Sequence, residues 1–283
     1  MSPSTSIPWS ADFGGLALHG AQFPAHSERG AVLLCHGYAE HHGRYGRLIQ
    51  ALNGAGLSVY TYDQRGHGQS PGLRAVVDLN HLVEDHLKAR AALSGLSVPV
   101  FAFGHSMGGL ITATSALRDP RGLAGVILSS PALLVGEDEP ALLKTLSGVL
   151  GKLLPRLPVT ALASGGLSRI AGEVSAYDND PQVYRGKVPA LTAATMLRLS
   201  RAVMAGLPGW RLPTLLLHGG ADTIADVRGS RRFAAEAGDA QTPRPTVEYL
   251  EVEGGYHELY NDTVQAEVTA RTVSWLEGQI GGL

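Results

Sequence analysis

Cysteine is all but missing: the 283 residues hold one, Cys35. No internal disulfide can form, and the setting of Cys35 at the end of the apolar run Val32-Leu33-Leu34 marks a buried thiol rather than a nucleophile. Charge of one sign is not in excess either. With 23 basic and 25 acidic residues the net charge is -2, so the chain lacks the basic footprint that nucleic acid or strongly acidic lipid requires, and neutral substrates are expected. No apolar run reaches the length of a membrane-spanning helix, and the opening MSPSTSIPWSADF lacks both a basic leader and an apolar segment behind it, from which a cytoplasmic protein is expected. Repeats and low-complexity tracts are absent. A hydrophobic share of 44% beside 17% charged residues excludes a disordered chain and fits a globular one.

What is present is alternation. Short apolar, β-branched runs at 31–36, 57–62, 98–103, 123–129, 213–218 and 246–252 are separated by helical patterns near 44–54, 78–94, 108–118, 227–237 and 262–279. Several of the runs are apolar on both faces, as strands of a parallel sheet covered by helices must be. The fold class is therefore α/β, a mostly parallel, doubly wound sheet. The alternation breaks between about 132 and 208, where the pattern turns helical with Gly and Pro interruptions. This stretch reads as a helical insertion over the carboxyl edge of the sheet, which divides the chain into a core of 1–132 and 209–283 and an insertion of 133–208. Within it Leu142, Leu143, Leu146, Val149, Leu150, Leu153 and Leu154 form one helical stripe, expected to pack on the core, with a lipid-contacting face as the alternative.

Polar residues are scarce in the apolar runs, which makes the serine of Gly104-His105-Ser106-Met107-Gly108-Gly109 conspicuous. It follows the run Val98–Phe103 and precedes a helix rich in small residues, so the G-x-S-x-G pattern sits on a strand-to-helix turn and reads as a nucleophile elbow. A phosphate loop is excluded because no Lys-Ser/Thr pair follows at the required spacing. A serine hydroxyl needs a base within reach and a carboxylate to orient that base. On a doubly wound hydrolase sheet these follow in the order Ser, acid, His. Only His218 and His257 lie beyond Ser106, and His218 belongs to the strand end that should deliver the acid, so His257, in the loop Glu253–Glu258, is the expected base. Asp222 stands at the tip of Leu215–Ala221 and is the expected acid; Asp226 reads as a helix cap. The oxyanion donors are expected to be the backbone N–H groups of Met107 and of Tyr38, the latter in the turn His36-Gly37-Tyr38. His36, His41 and His42 cluster in sequence, yet no carboxylate or cysteine completes a ligand spacing, and no metal is expected.

The segments HGYAEHHGRY (36–45), YDQRGHGQS (62–70), GHSMGG (104–109), LSSPAL (128–133), NDPQVYRGKV (179–188) and HGGADTIAD (218–226) give the chain, over nearly its whole length, a resemblance to the monoacylglycerol lipase and lysophospholipase group of α/β-hydrolase-fold serine hydrolases. That resemblance implies a helical cap at about 133–208 over an apolar acyl tunnel, carries the nucleophile onto Ser106, the acid onto Asp222, the base onto His257 and the oxyanion donors onto Tyr38 and Met107, and makes the segment of Asp63, Arg65 and His67 chiefly structural. It also implies a lipid ester as the small-molecule partner, no nucleic acid and no cofactor. Tyr38 departs from the pattern, standing where the mammalian lipase has a small residue. The activity expected is hydrolysis of single-chain esters, monoacylglycerol first, with lysophospholipase and short-chain carboxylesterase as alternatives. A peptidase reading has the acidic Glu137-Asp138-Glu139 in its favour, and a non-catalytic ligand-binding module would use the same fold without turnover.

Overall fold

The computed structural model describes residues 6–11, 13–136 and 148–282. Glu137-Asp138-Glu139 and the first half of the leucine stripe, Leu142, Leu143 and Leu146, lie outside them. Eight strands form one sheet in the order β1-β2-β4-β3-β5-β6-β9-β10. β3 (Gly30–Cys35), β4 (Leu57–Tyr62), β5 (Val100–His105), β6 (Gly125–Ser129), β9 (Thr214–Gly219) and β10 (Val247–Val252) run parallel, while β2 (Gly20–Phe23) is antiparallel to both β4 and β1 (Ile7–Trp9). The six parallel strands coincide with the six apolar runs. β1 and β2 were not expected: they are short, partly exposed and carry too little apolar alternation to stand out.

Both faces of the sheet are covered, which is why β3 to β6 and β9 are buried at every position. Val32 and Leu34 of β3 join Leu48, Ile49 and Leu52 of the helix Gly46–Gly54 and Val268, Trp275 and Leu276 of the helix Gln265–Gly281 in one core. Cys35, on the other face, joins residues of the helices Leu79–Ala92, Met107–Arg118, Ala190–Gly206 and Val227–Glu236 in a second. Successive strand residues thus feed opposite layers, the period of two built into a β-strand.

The segment between β6 and β9 contributes the helices Ala171–Asn179 and Ala190–Gly206 and, against expectation, a small antiparallel pair, β7 (Pro158–Thr160) with β8 (Val188–Pro189). Strands of two and three residues, each including a proline, leave no periodic signal. Thr192 locks Ala190–Gly206 to the core: its hydroxyl accepts from Val77 N at 3.0 Å and donates to Ala75 O at 2.9 Å. Of the described part of the leucine stripe, Leu150 is half-buried and the rest does not pack inward. Residues 148–153 are helical, and the side against Ala190–Gly206 is that of Gly151, where a Cβ would stand 2.9 Å from Ala194 Cβ. The contact face is the glycine face, so Val149, Leu153 and Leu154 are left exposed, Leu153 by 73%. Among the described residues no helix is long and apolar enough to cross a membrane.

Candidate active site

Ser106 sits between β5 and the helix Met107–Arg118 with φ 54° and ψ −119°, a conformation L-residues avoid and one that costs about 1–3 kcal/mol. The surroundings hold it there. Ser106 N donates to Ser129 O at 3.0 Å, and Ser106 O accepts from Ala132 N at 3.0 Å and Leu110 N at 3.1 Å. The turn closes only because its neighbours have no side chains. A Cβ on Gly108 would stand 2.2 Å from Cys35 O and 2.3 Å from His36 O, and one on Gly104 would stand 2.5 Å from Gly108 O. Gly108→Ala must therefore push the helix away from β3. The expected result is a loss of about 1–3 kcal/mol in stability and a lowered kcat, checked by thermal unfolding beside ester-hydrolysis kinetics.

Asp222 follows β9 and His257 follows β10, two adjacent parallel strands whose carboxyl ends bring the loops together. The Asp222 carboxylate is fully partnered. Oδ1 accepts from Ile224 N at 2.7 Å and Ala225 N at 3.0 Å, and Oδ2 accepts from His257 Nδ1 at 2.7 Å. His218 Nε2 lies 3.2 Å from the same Oδ2. Burial acts to raise the Asp222 pKa, but the charge of His257 and the hydrogen bonds from His218 and His257 outweigh it and hold the carboxyl far below its usual range. For His257 the balance also goes to the partner: burial lowers its pKa, yet the Asp222 charge and hydrogen bond, helped by Glu258 and Glu40, leave it raised. Asp226 plays the part of a cap, accepting from Arg228 N at the start of Val227–Glu236. The loop of His257 is tied to the inserted segment, since His257 N donates to Gly166 O and Glu258 N to Leu167 O.

The turn after β3 brings Gly37 against the serine: a Cβ there would lie 3.3 Å from Ser106 Cβ. Its N–H is held by Glu40 Oε1 at 2.6 Å, which also accepts from Tyr45 Oη at 2.6 Å. His36 pins the same turn from behind, Nδ1 to Gly37 O at 2.8 Å and Nε2 accepting from Gln64 N at 3.0 Å. Ser106, as the residue preceding the helix, gives it no side-chain cap, so the first N–H groups, Met107's included, have no capping partner. Sequence reasoning did not anticipate the buried charge cluster alongside. Arg44 lies 3.3 Å from Glu40 and 2.5 Å from Glu258, and its guanidinium stacks 4.6 Å from the centre of the Tyr177 ring. Burial pushes Glu40 up to about 7, Arg44 opposing and Glu258 adding to the shift. The available signal was a Glu-Arg pair four residues apart, Glu40 and Arg44, in the turn after β3.

Two cavities meet at Ser106. The larger, about 710 Å³, is lined by Met107, Leu134, Val135, Leu162, Val188, Met196 and Ile224 among others, and also by Asp222. The smaller, about 40 Å³, is lined by Glu40, His105, Leu167, Tyr177, His257 and Glu258. Tyr38 and Ser106 border both. The Tyr38 ring stands edge-on to His67 and Tyr184, at 5.6 and 6.3 Å between centres. All five residues singled out from the sequence, Ser106, Asp222, His257, Tyr38 and Met107, line one or other of these cavities.

Residues 26–264 match the family model described as serine aminopeptidase, S33. The monoacylglycerol lipase of Mycolicibacterium smegmatis is 37% identical over 257 residues, 89% of this chain and 90% of that protein. The monoglyceride lipase of Homo sapiens is 34% identical over 243 residues, 84% of this chain and 78% of the relative. The crystal structure of Paleococcus ferrophilus monoacylglycerol lipase superimposes with a TM-score of 0.83 at 34% identity, covering 93% of this chain and 100% of the other.

Proposed function

The chain belongs to the serine aminopeptidase S33 family, an α/β-hydrolase with monoacylglycerol lipases among its relatives, and from that premise we propose that it hydrolyses single-chain carboxylic esters, monoacylglycerol foremost, at Ser106. The observation that carries this reading is the pair of unequal cavities at Ser106. One is large enough for a fatty acyl chain; the other, bordered by Glu40, His257 and Glu258, is too small for a second chain. A peptidase would need a free carboxylate for the substrate ammonium, and among the described residues the two glutamates that line the smaller cavity, Glu40 and Glu258, already share Arg44.

In this reading Asp222 holds the His257 Nδ1 proton, which leaves Nε2 as the base. Nε2 takes the Ser106 proton as Oγ bonds to the ester carbon, and the carbonyl oxygen becomes an oxyanion held by the N–H groups of Tyr38 and Met107. The intermediate collapses with the ester C–O bond breaking, and His257 passes its proton to the departing glycerol oxygen. Water then attacks the acyl-serine, its proton going to His257 and on to Ser106 as the fatty acid leaves. Neither a metal nor an organic cofactor is used. Residues 133–208 act as a cap over the acyl cavity, a division supported by the lining residues Thr160 to Ala163, Val188, Ala193 and Met196. The single buried Cys35 suits the cytoplasmic location proposed with it.

The test is kcat/KM for p-nitrophenyl esters from acetate to palmitate. Rates should climb with chain length as methylenes fill the larger cavity; a flat or falling series would refute the acyl assignment. Because only neutral His257 can accept the serine proton, kcat/KM should fall on the acid side through a pKa above the ordinary imidazole value of about 6.5, which a pH profile will locate. The exposed Val149, Leu153, Leu154, Leu157, Val159 and Leu162 support transient contact of the cap with lipid surfaces. Leu153→Asp is then expected to lower turnover of monoacylglycerol in vesicles about tenfold while leaving a soluble short ester unaffected, measured side by side.

A further inference from the structure

Asp63, at the end of β4, is completely buried, and among the described residues its ion-pair partners are two imidazoles, His42 and His19, with no lysine or arginine. His42 Nδ1 lies 2.7 Å from Oδ1, and His19 Nδ1 lies 3.5 Å from Oδ2. The remaining carboxylate contacts are backbone N–H groups, His42 N on Oδ1 at 3.0 Å and Gln69 N on Oδ2 at 2.8 Å. Gly68 makes room for the carboxylate: with φ 48°, a Cβ there would fall 2.1 Å from Oδ2. The two rings stack, centres 5.4 Å apart and planes 26° from parallel. One ligand atom from each of the three residues lies within 4.8 Å of the other two.

We propose that His19, His42 and Asp63 form a binding site for a divalent transition-metal ion, outside the serine site. A buried carboxylate is stabilised by a paired charge or a coordinated cation, and two imidazoles supply no permanent charge. Ions bound at about 2.0–2.2 Å hold neighbouring ligands about 3 Å apart, which the spacings of 2.7 and 3.5 Å bracket. The one wider spacing is closed by His19, whose side chain is 41% exposed and free to turn while its N–H stays anchored to Ser70 Oγ at 2.8 Å. Two nitrogens and one oxygen, with solvent completing the shell, suit Zn²⁺, Ni²⁺, Co²⁺ or Cu²⁺ and not Mg²⁺ or Ca²⁺. From the sequence, His36, His41 and His42 read as a cluster with no metal expected. His36 is occupied by Gly37 and Gln64, and His41 by Asp180 at 2.8 Å, so His42 is the member of that cluster left for an ion.

An occupied site would tie three stretches together: the residue before β2, the turn after β3 and the end of β4. The test uses the untagged full chain, stripped with chelator, in thermal unfolding with Zn²⁺, Ni²⁺ or Mg²⁺ and in Cu²⁺ paramagnetic resonance. At a free ion concentration about 100 times Kd the melting temperature should rise by about 5–10 °C with Zn²⁺ or Ni²⁺ and not with Mg²⁺. The Cu²⁺ spectrum should show coupling to two nitrogens. His19→Ala, at an exposed position that keeps the ion-free melting temperature, should lose at least tenfold in affinity and one nitrogen coupling, and His42→Gln should do the same. Equal shifts in wild type and His19→Ala, equal shifts with Mg²⁺, or no shift at all, would overturn the proposal.

Discussion

Replacing Ser106 by alanine is expected to lower kcat about a million-fold, with KM and melting temperature close to wild type. The size of the loss follows from the way the groups depend on one another. Without Oγ there is no acyl-enzyme, so the His257–Asp222 pair has no proton to move and the oxyanion donors have no serine adduct to hold. What is left is binding in the apolar cavity and whatever water can do there. The fold should tolerate the change, since Ser106 N and O keep their bonds to Ser129 O, Ala132 N and Leu110 N whatever the side chain. Alanine at φ 54° bears the same strain as serine. A fluorophosphonate probe should label the wild type at one site and leave the variant unlabelled. A loss of only a few-fold, or labelling that persists, would mean that the nucleophile lies elsewhere or that the fold serves as a binding module.

The second large effect is expected from Asp222→Asn, about ten-thousand-fold in kcat, with some loss of stability as well because the partners that hold the buried carboxylate ionised favour the folded state. An asparagine can keep its oxygen on Ile224 N and Ala225 N, where Asp222 Oδ1 now sits at 2.7 and 3.0 Å. Its amide then faces His257 Nδ1 as a donor. The imidazole must answer with an unprotonated Nδ1, which moves its proton to Nε2 and removes the base from the side facing the serine. The charge that raises the His257 pKa disappears as well, so the residual activity should show its acid limb at lower pH than the wild type. Kinetics across pH for both proteins check this. An Asp222→Asn enzyme within tenfold of wild type would point to another residue as the acid.

The parallel core was legible because its strands are apolar on both faces, and only burial between two helical layers explains a run such as Ala31 to Cys35. β10, partly exposed along most of its length at the edge of the sheet, was still found from its β-branched and aromatic content. β1, β2, β7 and β8 were not legible, since strands of two to four residues depend on pairing with segments remote in sequence and carry no period of their own. Of the leucine stripe, Val149, Leu153 and Leu154 were assigned to the wrong side: periodicity identifies a face without saying what it faces, and Gly151 took the contact. At the candidate site, Ser106, Asp222 and His257 could be nominated from glycine-flanked turns and chain order. The bond between Asp222 and His257, and the cavity that His257 and Ser106 share, are matters of geometry that the order alone does not contain. Least legible was the Glu40–Arg44–Glu258 cluster, because Arg44 and Glu258 are 214 residues apart and neither motif mentions the other.

The most direct test of the central proposal holds the acyl chain constant and varies the leaving group. The measurement is kcat/KM for an oleoyl ester of glycerol, of glycerophosphocholine and of a second acylglycerol, with Ser106→Ala as the blank. The expected result is that monooleoylglycerol exceeds both others by at least tenfold, since glycerol is the smallest of the three leaving groups and the cavity beside His257 is narrow, about 40 Å³. Equal or faster release of lysophosphatidylcholine would contradict the assignment of that cavity and of the substrate with it.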